Sequence, residues 1–157
     1  MTFSKISNKV VQIHGTFVKF YILMEAPQWW LIDTGFVGDF QRLKSTIDEL
    51  GLRWKDLEGI FMTHGHLDHT YNLADIQRFS KCKIYGHIED KEHFMGRYPY
   101  VGFSRVCGGL EMAGRTLFGY QPCEPDQYVK DGEILDCLGG LKAIHTPGHT
   151  KGHLSYY

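Results

Sequence analysis

Short runs rich in β-branched and aromatic residues occupy Val10–His14 and Phe17–Met24, and a glycine, Gly15, separates them. Such runs predict two strands joined by a turn. Trp29–Asp33 (WWLID) is a third apolar run, feeding Asp-Thr-Gly at a turn. The period then changes. Phe40, Leu43, Ile47 and Leu50 recur at helical spacing between polar residues, which predicts a helix over Asp39–Leu50 stopped by Gly51. Gly59–Met62 reads as a short buried strand, Asp68–Phe79 as a helix with Leu73, Ile76 and Phe79 on one face, Lys83–Tyr85 as a strand and Ile88–Met95 as a short helix. From Gly96 to Asp126 glycine, proline and aromatics break any period, so a long loop with at most one helical turn is expected. Glu133–Cys137 and Leu141–His145 pair around Gly139-Gly140, and Leu154–Tyr157 makes a last strand. Strands and helices alternate, which predicts mixed α/β layers.

Composition narrows the function. The chain has 157 residues, 43% hydrophobic and 22% charged, in the range of one globular domain. Its 17 basic and 18 acidic side chains sum to −1, so no electrostatic footprint for nucleic acid is present. No apolar stretch is long enough for a membrane span, and the first residues lack the apolar segment of a signal peptide. A cytoplasmic location is the expectation, with no nucleic-acid or membrane partner. Cys82, Cys107, Cys123 and Cys137 form no C-x-x-C pair and read as free, mostly buried thiols.

The chemistry is concentrated in Thr63-His64-Gly65-His66-Leu67-Asp68-His69, directly after a strand. Imidazole and carboxylate are ligands for zinc and similar divalent ions. Residues two apart in extended backbone point the same way, so His64 and His66 can share one ion. Asp68 and His69 begin the next helix, point elsewhere, and can serve a second. Thr146-Pro147-Gly148-His149-Thr150 again follows a strand and offers His149 as a third imidazole. Asp33, at the strand end in Leu31-Ile32-Asp33-Thr34-Gly35, has two readings: it caps the turn, or it orients a ligand. His14, His87, His93 and His145 are expected to be structural.

Together these motifs resemble the metallo-β-lactamase superfamily, whose H-x-H-x-D-H signature reads here His64, His66, Asp68, His69, with LIDTG upstream and TPGHTKGH downstream in the family's order. The resemblance covers essentially residues 1–157 as one domain and implies an αββα sandwich. It also implies a first metal on His64, His66 and His149, and a second to which Asp68 and His69 contribute. Members usually add a later bridging aspartate and a final histidine. Here the last acidic residue is Asp136, and the only later histidine is His153, which looks like a packing or ligand-supporting position. The resemblance therefore implies a chain ending inside the second half of the fold, without the last strands and helix.

The expected cofactor is zinc, as one or two ions, with iron or manganese as alternatives. Three neutral imidazoles on such an ion leave an open position for water, whose pKa falls toward ~7. Asp68 is the expected catalytic group, orienting the water and carrying its proton. The expected activity is hydrolysis of an ester-like bond in a small-molecule substrate: thioester, lactone, lactam or phosphoester. The alternative is a catalytically weak metal-binding domain that needs further C-terminal residues or a partner chain. Tyr98, Tyr100 and Phe103 either make a small core of the loop's own or line a pocket, and Arg97 and Arg105 are candidates to meet an anionic group. A strand at Leu154–Tyr157 on a sheet edge invites pairing with another copy, so a homo-oligomer is also expected.

Overall fold

The computed structural model describes residues 2–97, 99–100 and 105–157. A seven-stranded sheet runs in chain order: β1 (Phe3–Lys5), β2 (Val10–His14), β3 (Lys19–Glu25), β4 (Gln28–Ile32), β5 (Leu57–Phe61), β6 (Lys83–Gly86) and β7 (Gln127–Tyr128). The first four pair antiparallel, and β4 to β7 pair parallel. The switch coincides with the first helical crossover, α1 (Asp39–Leu50), because parallel neighbours need a long connection. A second, three-stranded antiparallel sheet contains β8 (Ile134–Leu135), β9 (Leu141–His145) and β10 (Leu154–Tyr156), with β9 in the middle.

Two apolar layers hold these parts together, and neighbouring tryptophans mark them. Successive strand side chains point to opposite faces. Trp29 therefore packs with Val11, Ile22, Leu43 and Ile47 beneath the helices, whereas Trp30 packs with Phe61, Leu135, Ala143 and Leu154 between the two sheets. This is the helix–sheet–sheet part of the expected αββα arrangement. The helix α1 matches its sequence pattern, and Gly51 ends it in the left-handed conformation (φ 69°) that favours glycine.

Two expectations need correction. The helix expected over Asp68–Phe79 is two pieces, α2 (Leu67–Thr70) and α3 (Leu73–Ser80). Between them, buried Asn72 donates from Nδ2 to the carbonyls of Thr34 and Phe36, both at 2.8 Å, which ties the break to the turn after β4. The long loop expected over Gly96–Asp126 contains a 14-residue helix, α5 (Arg105–Phe118). Its glycines disguised it. Gly108 is its buried residue, and a Cβ there would lie 2.6 Å from Tyr100 Cδ2. The apolar residues of α5, such as Leu110 and Leu117, are exposed, so no core-facing stripe was there to be read. The segment Ile88–Met95 is a 3₁₀ turn followed by α4 (Lys91–Phe94). Strand β10 lies at the edge of its sheet, as expected. No helix among the described residues is long and apolar enough to cross a membrane.

Candidate metal centre

The site sits where strand ends of both sheets meet. His64 lies just beyond β5, His66 precedes α2, and His149 lies on the connection from β9 to β10. Their rings form a near-equilateral triangle. Centroids are 4.6 Å apart for His64–His66, 4.7 Å for His64–His149 and 4.5 Å for His66–His149. One ligand nitrogen from each lies within 4.8 Å of the others, so the three could hold a single ion.

His64 carries the sharpest signal. Its Nδ1 meets Thr63 Oγ1 at 2.9 Å, while its buried Nε2 has no hydrogen-bond partner among the described residues. Buried polar atoms without partners are rare and costly, and an atom left bare beside two further imidazoles fits a metal ligand. Burial, then the neighbouring imidazoles, pushes the pKa of His64 far below the usual histidine range. The same causes, burial first and then His149, His93 and other histidines, push His66 down to about 3. Both rings are thus neutral near neutral pH, the form that donates a lone pair to a metal.

Asp33 anchors the other side. It follows β4 with φ 60°, in a region non-glycine residues rarely adopt and aspartate tolerates better than most. Its carboxylate accepts from the Thr63 backbone N–H at 2.8 Å, the Thr63 hydroxyl at 2.7 Å and His69 Nδ1 at 2.8 Å. The turn-cap and ligand-orienting readings therefore merge: Asp33 bonds His69 directly and reaches His64 through Thr63. Burial opposes charge on His69, but the hydrogen bond and charge of Asp33, with the charge of Asp68, outweigh it and raise the His69 pKa. Asp68 lies beside His69, its Oδ2 4.0 Å from His69 Nε2. Among the described residues these two make no three-donor group with another His, Cys, Asp or Glu. His153 lies next to the triangle, 5.3 Å from His64 between centroids, and its Nδ1 meets Thr146 Oγ1 at 2.8 Å.

The sequence reading missed Asp90. It is fully buried and bonds both histidine loops: Gly65 N–H donates to it at 3.0 Å, the Thr150 hydroxyl at 2.7 Å and Gly152 N–H at 2.8 Å. Nothing in a lone Glu-Asp-Lys triplet announces this. His93, set aside as structural, stacks edge-on against His66 at 5.6 Å and forms a donor group with His66 and Glu111. His87 and His145 stack on each other at 4.2 Å, and with Glu89 make another donor group. His14 meets Ser4 Oγ at 2.9 Å across β1 and β2. Tyr100 reaches the site, whereas Tyr98 and Phe103 lie outside the described residues. Arg97 is paired with Glu92 at 2.7 Å, and Arg105 is exposed at the start of α5. The four thiols are free, with Cys107 exposed and the others buried.

An open cavity of about 470 Å³ runs from His66 and Asp68 along Phe17, Phe36, Leu110 and Phe118. A second, of about 350 Å³, borders His149 and includes His93, Tyr100 and Lys151.

Comparison with known proteins agrees with this architecture. The metallo-beta-lactamase superfamily model matches residues 23–157. A probable metallo-hydrolase of Methanocaldococcus jannaschii is 34% identical over 127 residues, covering 80% of this chain and 55% of the relative. A hydroxyacylglutathione hydrolase of Haemophilus influenzae is 31% identical over 131 residues, covering 80% and 53%. The solved structure of a metallo-beta-lactamase from Elizabethkingia meningoseptica superposes with a TM-score of 0.80 at 25% identity, over 99% of this chain and 55% of that one. A beta-lactamase from Chitinophaga pinensis gives 0.82 at 22% identity, over 99% and 56%, which shows a shared fold. The chain thus spans about half the length of the relatives it matches. On this match, carried by the signature residues and by the fold alike, the chain belongs to the metallo-beta-lactamase superfamily.

Proposed function

We propose that the chain is a metal-dependent hydrolase acting on an ester-like bond, with His64, His66 and His149 holding the metal, zinc in the first instance. The observation that carries this is the convergence of three imidazoles on the bare, buried Nε2 of His64. A divalent ion bound there supplies Lewis acidity, making water nucleophilic near neutral pH and polarising the substrate oxygen. The chain's own residues do the rest. Asp33 and Thr63 fix the orientation of His64, and Asp33 fixes that of His69. Asp68, at the mouth of the 470 Å³ cavity, orients the attacking water and takes its proton. The apolar side chains of Phe17, Phe36 and Phe118 take an apolar acyl portion of the substrate. The relative named as a hydroxyacylglutathione hydrolase supports placing acyl compounds first among thioester, lactone, lactam and phosphoester.

A second reading is a metal-binding chain without turnover of its own. It is favoured by one observation: Asp68 and His69 find no third donor among the described residues. Assay of the zinc-loaded chain on thioester, lactone, lactam and phosphoester panels separates the two. Turnover abolished by His66→Ala supports the hydrolase. Stoichiometric zinc with no turnover on any panel supports the second reading.

A further inference from the structure

His66 is hydrogen-bonded to the segment that leads into α5, and that bond bears on its chemistry. Its Nε2 lies 2.6 Å from Tyr100 Oη, and Tyr100 Oη lies 3.2 Å from Glu111 Oε2 on α5. A neutral imidazole has one N–H and one lone pair, and the position of the proton decides which nitrogen can bind a metal. A phenol has one proton. A carboxylate has none and only accepts. Burial raises the Glu111 pKa to about 7, and where Glu111 is ionised the groups are satisfied when His66 Nε2–H donates to Tyr100 and Tyr100 donates to Glu111.

We infer that Tyr100 and Glu111 form a positioning relay that holds the His66 proton on Nε2 and so presents Nδ1 as the metal-binding nitrogen. Two further observations fit. The His66 ring centroid lies 4.6 Å from that of His64, 4.5 Å from that of His149 and 6.0 Å from that of Tyr100. Gly108, in the first turn of α5, lets the Tyr100 ring lie against the helix backbone, where a Cβ would come within 2.6 Å of Cδ2. The helix that the sequence disguised as a loop thereby sets the tautomer of a candidate ligand. Histidine ligands are commonly oriented in this way by a carboxylate, and losing the partner typically costs 10–100-fold in metal affinity. Here a tyrosine stands between the two.

The inference rests on the metal reading above, and the test separates them. Nitrogen-15 NMR of the metal-free protein near pH 8.5, above the Glu111 pKa of about 7, reports the His66 tautomer. The proton is expected on Nε2 in the wild type and is expected to lose that preference in Tyr100→Phe. A proton on Nδ1 in the wild type overturns the relay, whether or not any metal binds. Zinc affinity is then measured by chelator competition, with circular dichroism to confirm the fold. Tyr100→Phe is expected to weaken zinc 10–100-fold, and Glu111→Gln, whose amide oxygen still accepts, by less. Gly108→Ala is the control for folding. Alanine is the better helix former, so weaker zinc binding in that variant comes from a displaced Tyr100. Wild-type affinity in both Tyr100→Phe and Gly108→Ala overturns the relay. A wild type that binds no zinc overturns the metal reading, and the tautomer still judges the relay.

Discussion

Asp90 receives the hydroxyl of Thr150, 2.7 Å away and 60 positions further along the chain, on the carboxylate oxygen that also accepts Gly65 N–H. One buried side chain therefore ties the His64–His66 loop to the His149 loop. Removing a partner from such a network leaves buried donors unsatisfied, at about 1–3 kcal/mol for each group. Asp90→Ala should lower the melting temperature, and at about 2–4 °C per kcal/mol for a chain of this size the drop should be plain in a thermal scan. Zinc affinity measured well below the transition should fall too. An unchanged affinity would mean that the two loops hold their spacing without Asp90.

Asp33 makes a separate prediction because it works from the other side. Asp33→Ala removes the acceptor for Thr63 and for His69 Nδ1. Metal affinity should fall about 10–100-fold. Thr63→Val should give a smaller loss, since it releases His64 and leaves His69 held. Isothermal titration with zinc distinguishes the two variants, and equal losses would contradict this division of labour.

Gly65 tests the packing between the two candidate ligands. A Cβ on Gly65 would meet His93 Cβ at 2.4 Å, a distance that forces one of them to move. Overpacking of this kind costs about 1–3 kcal/mol. Gly65→Ala should therefore lower stability in urea unfolding, and its cost should shrink when it is made in His93→Gly, which lacks the Cβ it meets. No rescue in the double variant would show that the contact is not the cause.

The buried thiols predict a pH dependence. Burial, ahead of any charge effect, raises Cys82 and Cys123 to about 11 and Cys137 to about 12, against 9.0 for a free thiol. A raised folded-state pKa means that the unfolded chain ionises first. Their contribution is thus complete below pH 9 and is lost as pH climbs from there toward 11. Melting temperature should decline over that window, less steeply in Cys82→Ala. In the native protein near pH 8, Ellman's reagent should find Cys107 quickly and the other three only after denaturation.

The sequence made the donors plain and the scaffold less so. His64, His66 and His149 stand out because three imidazoles on strand ends have no ordinary place in a core. Helix α1 stands out because its apolar residues face one core. Helix α5 does not, since its apolar residues are exposed, with Leu110 and Phe118 lining the cavity rather than a core, and its glycines look like turn residues. Asp90 and Glu111 are equally silent: each gains meaning from partners brought close by the fold, across 60 residues for Asp90 and Thr150. Asn72 belongs with them, because a single amide split a helix whose pattern reads as continuous.

The central claim is that three histidines hold a metal. Its most direct test is zinc per chain on protein purified without added metal and then titrated, for the wild type and for His64→Ala and His149→Ala. At least one tightly held zinc per wild-type chain, lost in both variants while circular dichroism stays unchanged, is the predicted result. No tight zinc in the wild type, or zinc retained with full affinity in His149→Ala, would contradict the account.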